Sequence, residues 1–180
     1  MNLIYKVEKE NVTINQILKN EFNISSRLFN KLINNHLVSC NGIVCDTRNN
    51  VHIGDIINVN LNYDEDNSNI IPKKMDLNIV YEDEWLIALN KPSGIAVHPS
   101  IIHFENTLSN GLKFYFEQKN LHKKIRPVNR LDLGTSGLII FAKCEYIQEC
   151  LIKQMNDHIF KKEYLSIVTR NLRKEKGSNR

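Results

Sequence analysis

Several absences narrow this sequence before any motif is read. No apolar run approaches the ~20 residues needed to cross a bilayer, and residues 1–12 hold no apolar core of signal-peptide length. A cytoplasmic protein with no membrane contact is expected. The cysteines, Cys40, Cys45, Cys144 and Cys150, form no C-x-x-C pair, and no histidine stands at a zinc-finger offset. No metal is expected, and the thiols read as small core fillers in a reducing compartment. There is no glycine-rich phosphate loop and no internal repeat. Charge of neither sign dominates: the formal net charge is +4 and the pI about 8.8, which permits a nucleic-acid partner without requiring one.

What is present is ordinary for a globular chain of one or two domains. The 180 residues are 42% apolar and 24% charged. Thr13-Ile14-Asn15-Gln16 has capping-box form, and Ile14, Ile17, Leu18 and Phe22 keep to one helical face. Ser25 or Ser26 can cap a second helix with apolar positions Leu28, Leu32 and Ile33. Arg27 and Lys31 lie four residues apart on another face of it. Asn41-Gly42 between Leu37–Cys40 and Ile43–Cys45 is a hairpin signal. Gly54-Asp55 then turns the chain into an alternating strand, Ile57-Val59-Leu61.

Residues 64–74 are polar and aperiodic, and read as a linker between a domain at 1–63 and another at 75–180. The second part is strand-rich: Leu77–Tyr81, Trp85–Leu89 and Ile95–Val97, with a Lys91-Pro92-Ser93-Gly94 turn. Thr107 can cap a helix bearing Leu108, Leu112, Tyr115 and Phe116. A basic loop, His122 to Pro127, follows. Ile147, Cys150, Leu151 and Met155 mark a further helix, and Lys161–Val168 reads as a strand. The whole predicts an α+β chain: two helices with a hairpin, then a strand-rich part with two further helices.

The most informative stretch is Asn129-Arg130-Leu131-Asp132-Leu133-Gly134-Thr135-Ser136-Gly137, set before the apolar strand Leu138–Ala142. Gly134 and Gly137 can take backbone angles closed to other residues, and Thr135 and Ser136 can fix the loop through hydrogen bonds. Leucines on both sides of Asp132 predict partial burial, hence a paired or pKa-shifted carboxylate. Such a group is either a turn cap or a reactive carboxylate.

Arg130-Leu131-Asp132-x-x-Thr135-Ser136-Gly137 resembles the catalytic motif of the RluA-type pseudouridine synthases, with Asn129 where the family usually has histidine. Tyr81-Glu82-Asp83, Lys91-Pro92-Ser93-Gly94, His98-Pro99 and Lys162-Glu163-Tyr164 extend the likeness. Ser26-Arg27, Leu32-Ile33, Val38, Asn41-Gly42 and Gly54-Asp55 resemble the S4 RNA-binding module. These resemblances imply a small S4-like domain followed by the first part of a mixed, mostly antiparallel sheet domain. They imply a cofactor-free isomerase that turns uridine into pseudouridine in structured RNA, with large-subunit ribosomal RNA as the substrate by analogy, working as a monomer. They imply that Asp132 is the catalytic carboxylate, acting on the ribose as nucleophile or base. Arg130 would fill the space left by the extruded base and Tyr164 would stack on it. Arg27, Lys31, Lys123, Lys124 and Arg126 would contact RNA phosphates. Read without the family, Lys91 is a surface charge, His98 a turn histidine and Tyr164 a core tyrosine. The family's catalytic domain continues beyond its Lys-x-Tyr strand, whereas this sequence stops at Arg180, so a truncated or split gene product is expected, short of the basic residue that pairs with the carboxylate. The alternative is a non-catalytic S4-type RNA-binding protein or gene remnant.

Overall fold

A computed structural model describes residues 1–101, 104–167 and 169. The N-terminal unit comprises β1 (Asn2–Lys6), β2 (Val12–Thr13), α1 (Ile14–Asn20), α2 (Ser26–Asn34), β3 (Val38–Cys40), β4 (Ile43–Val44), β5 (Asn50–Val51) and β6 (Ile56–Asn60). The capping box closes α1: Gln16 N donates to Thr13 Oγ1 at 3.3 Å, and Thr13 N donates to Gln16 Oε1 at 2.8 Å. Leu28 N donates to Ser25 Oγ at 3.2 Å and so begins α2. Asn41 and Gly42 both take positive φ, 49° and 82°, as a two-residue hairpin turn demands. The sheet order is β1-β6-β3-β4, all antiparallel. Ile14, Leu18, Leu28, Leu32, Ile57 and Val59 close the core beneath it.

The second unit comprises β7 (Ile79–Glu82), β8 (Leu86–Lys91), α3 (Leu108–Gln118), β9 (Arg126–Pro127), β10 (Gly137–Ala142) and α4 (Glu145–Asn156). Its sheet order is β7-β8-β10-β9, again antiparallel. β10 pairs with β8 along its full length, from Gly137↔Lys91 to Ala142↔Leu86. Ile87, Leu89, Ile139 and Phe141 bury one sheet face against Leu108, Leu112 and Phe116 of α3. The result is α+β, with four helices among the described residues.

Two expected strands are absent. Residues 95–97 do not join the sheet. Ala96 and Val97 give their carbonyls to Leu108 N (2.9 Å) and Ser109 N (3.0 Å), satisfying donors that the start of α3 leaves unpaired. Residues 161–167 have no regular structure, and Leu165 and Ile167 are fully exposed, because no neighbouring strand among the described residues offers a ladder. Val168 and the charged tail 170–180 lie outside the described residues.

The stretch 64–74 is strapped down rather than loose. Glu65 N donates to His122 O (2.8 Å), Lys73 N to Asn110 O (3.1 Å) and Asn110 Nδ2 to Ile71 O (2.8 Å). Ile70 enters the second core, and the Met75 side chain occupies the space a Cβ on Gly111 would need. Helix α4 follows the second sheet in sequence but packs on the first core through Tyr146 and Ile147, with Cys144 and Trp85 beside them. Tyr146 Oη also donates to Phe22 O at 3.1 Å.

The buried cap of α3 gives a direct stability test. Thr107 and Asn110 are fully buried and bond reciprocally. Thr107→Ala is expected to cost about 1–2 kcal/mol and to lower the melting temperature in a thermal scan, whereas Thr107→Ser keeps most of that stability.

Candidate active site

The loop that carries Asp132 is held from two directions. Asn129 clamps its stems: Nδ2 donates to Leu138 O at 3.1 Å, and Oδ1 accepts from Ile140 N at 2.9 Å. From the other side, the 91–94 turn grips its crest. Lys91 Nζ donates to Leu133 O at 3.0 Å and Gly94 N donates to the same carbonyl at 2.8 Å. Ser93 Oγ donates to Gly134 O at 2.8 Å. The hydroxyls of Thr135 and Ser136 make none of these bonds, contrary to expectation. Gly137, at φ 129°, takes an angle open only to glycine, and Gly134 does not.

Lys91 corrects the reading of a surface charge: its side chain is 0% exposed. Burial pushes its pKa down, and the Asp132 charge pushes back. The ammonium is tolerated there because Leu133 O and Pro92 O accept from it. Asp132 itself is exposed rather than half-buried. Leu131 is only partly covered and Leu133 is 43% exposed, so the leucines do not enclose the carboxylate.

Asp132 nevertheless stands on a cleft of about 800 Å³. Its lining comes from residues 96–100, 124–127 and 130–133, from α2 and from the start of α4. Arg27, Lys31, Lys124, Arg126, Arg130 and Asp132, scattered in sequence, all line it. Two expected site residues do not. Lys123 is buried, its ammonium given to Tyr63 O (2.6 Å) and Leu61 O (3.3 Å), and burial lowers its pKa. It joins the two units and is not presented to a phosphate. Tyr164 is 64% exposed on the irregular 161–167 segment and is not among the lining residues.

The remaining cations differ in freedom. Arg126 donates to both oxygens of Glu65 at 2.6 Å. Lys31 reaches Glu65 Oε1 at 2.9 Å and Glu145 Oε2 at 3.3 Å. Arg27, 88% exposed, approaches Glu145 Oε1 at 3.5 Å. Arg130 and Lys124 lie exposed on the cleft. Glu65 and Glu145 thus shape the site, although neither stood out in sequence; Glu65 sits in the acidic run 64–66, with nothing to mark it as the buried member. Among the described residues, no three His, Cys, Asp or Glu side chains gather as metal ligands would.

With this geometry in place, comparison with known proteins identifies the class. Residues 85–179 match the family model for RNA pseudouridylate synthase. The chain belongs to that family, whose reaction is an isomerisation. An uncharacterized RNA pseudouridine synthase of Bacillus subtilis is 35% identical over 125 residues, covering 69% of this chain and 41% of that protein. The ribosomal large subunit pseudouridine synthases D of Neisseria meningitidis serogroup B and Borreliella burgdorferi are 36% and 37% identical, over 64% and 66% of this chain and 31% and 39% of their own lengths. The chain therefore spans less than half the length of these relatives. The structure of human RNA pseudouridylate synthase domain containing 1 aligns at 22% identity and TM-score 0.36, over 46% of this chain and 28% of that one.

Glu65, only 3% exposed, is the test of how the cleft is held together. Burial alone raises its pKa, but the hydrogen bonds and charges of Arg126 and Lys31 outweigh that and hold it below 4.5. A carboxylate with a depressed folded pKa stabilises above its unfolded value and loses that contribution as pH falls through the folded one. Glu65→Gln is expected to cost about 3–5 kcal/mol by leaving Arg126 buried without a counter-charge. Denaturant titrations should show the gap between wild type and variant constant above pH 5 and closing on acidification below 4.5.

Proposed function

We propose that this chain carries the catalytic carboxylate of an enzyme that converts uridine to pseudouridine in structured RNA, with large-subunit ribosomal RNA as substrate. The observation that carries the reading is the placing of Asp132 on a rigid loop at the edge of a cation-lined cleft large enough for a nucleotide. The names of the Neisseria and Borreliella relatives support the choice of RNA.

The chemistry conserves every atom. The C1′–N1 glycosidic bond breaks, the uracil turns, a C1′–C5 bond forms, and the proton on C5 is lost while N1 gains one. Asp132 serves either as nucleophile at C1′ or as the base that removes a proton from C2′. A uridine must leave its stack to reach this carboxylate, at a cost of a few kcal/mol. Arg130, exposed beside Asp132, is suited to occupy the vacated space. Tyr164 stacks on the base only when the 161–167 segment folds over the cleft. Arg27, Lys31 and Lys124 act as phosphate contacts that position the RNA without reading it, and Arg126 fixes β9 to Glu65 at the side of the cleft. Residues 1–63 serve as the S4-type RNA-binding domain, joined by 64–74 to a catalytic domain of pseudouridine synthase type.

Tritium release from [5-³H]uridine-labelled ribosomal RNA tests this. The expected result is release by the wild type, none by Asp132→Asn, and RNA affinity within about twofold between the two, since the carboxylate is not a phosphate contact. Salt-dependent binding by both proteins with no release from either would favour the non-catalytic RNA-binding reading instead.

A further inference from the structure

His98 lines the same cleft as Asp132, and its ring is fixed in one chemical state by a chain of hydrogen bonds. Ser109 is fully buried at the start of α3, and its Oγ donates to Val97 O at 2.7 Å. A hydroxyl has a single proton, so Ser109 Oγ can only accept from the ring. His98 Nδ1 lies 2.9 Å from that oxygen and therefore carries the hydrogen. In a neutral imidazole Nε2 is then an acceptor. Partial desolvation lowers the ring's pKa, and the positive end of α3, beside which Nδ1 is set, acts in the same direction. Nδ1 is taken up by Ser109 of α3, which leaves Nε2 as the other polar atom of a ring whose residue is exposed and lines the cleft.

The cleft is otherwise rich in donors: Arg27, Lys31, Lys124 and Arg130 can serve only acceptors on a ligand. Of its carboxylates, Glu145 is engaged by Arg27 and Lys31, and Asp132 is assigned to the sugar. A uracil brings two carbonyl acceptors and, between them, one imide donor at N3. We propose that His98 determines base specificity, its Nε2 accepting the N3–H of the extruded uracil. Cytosine presents a lone pair at N3, which would meet the lone pair of Nε2. The proposal rests on the reading of the cleft as a uridine site.

The test begins with the wild-type protein, which needs no substitution. Long-range ¹H–¹⁵N spectra at pH 7.5 should show a protonated Nδ1 and a bare Nε2 on His98. Saturating single-stranded oligouridylate should shift Nε2, while oligocytidylate and N3-methylated oligouridylate should not. In competition binding, His98→Phe should lower the preference for oligouridylate over oligocytidylate by roughly five- to tenfold. His98→Gln, whose Oε1 can replace Nε2 as acceptor, should retain most of it. A protonated Nε2, an equal response to the N3-methylated strand, no uridine-dependent response at all, or an unchanged preference in a folded His98→Phe protein would each overturn the proposal. So would loss of preference in Gln148→Leu alone, since Gln148 is another amide on the cleft, bonded through Nε2 to Pro127 O at 3.1 Å. A chain that releases tritium yet fails here loses only the assignment to His98. One that passes here without tritium release loses only the isomerase reading.

Discussion

The carboxylate of Glu65 is the contact on which the arrangement of the cleft depends. It accepts both nitrogens of Arg126, from the edge strand β9, and the ammonium of Lys31, from α2. Its backbone N–H is fixed to His122 O. One buried group thereby ties the N-terminal helix pair, the connecting strap and the second sheet. Removing any charge from water is costly, and the cost is met only when geometry and partners are complete. The bidentate contact on one side and the lysine on the other meet that condition, so the relative position of α2 and β9 is tightly specified. Ser25 Oγ donating to Glu149 at 2.6 Å and the packing of Tyr146 and Ile147 on the first core then set α4 against α2.

The same logic governs the Asp132 loop. Lys91 is a cation used as a fastener: its ammonium donates to carbonyls of two chain segments, Pro92 O and Leu133 O, and so holds them together. Asn129 performs the equivalent task at the loop stems, using a donor and an acceptor at once. A loop fixed at its stems and crest can leave its one carboxylate exposed without letting it wander, which is the arrangement a reacting group requires.

These devices also mark where the sequence was legible. The starts of α1, α2 and α3 could be read because a cap and the donors it satisfies lie within three residues, and the Asn41-Gly42 turn carries its own backbone requirement. β1 went unread because Ile4 faces outward at 67% exposure and breaks the alternation set by Leu3 and Tyr5. The motif located the Asp132 loop, but the burial of Lys91, Lys123 and Arg126 could not be read. Their partners lie 42, 60 and 61 positions away in the chain. A lysine in a basic run looks the same whether it faces water or a pair of distant carbonyls.

That ambiguity bears on the electrostatics of the cleft. Counted from sequence, the second helix and the basic loop present a strongly positive face to a polyanion. In the fold, Arg126 is spent on Glu65, Lys123 on carbonyls, and Arg27 and Lys31 are both engaged by Glu145. Glu145 is suited to that role because it begins α4, where the helix dipole favours a carboxylate. Any anion entering the cleft must therefore compete with Glu145 for Arg27, whose 88% exposure makes it the member of the pair free to swing. Lys31, held by two carboxylates and lying over the Tyr63 ring at 4.5 Å, is the more firmly committed. The free positive charge of the cleft is thus smaller than the cation count implies.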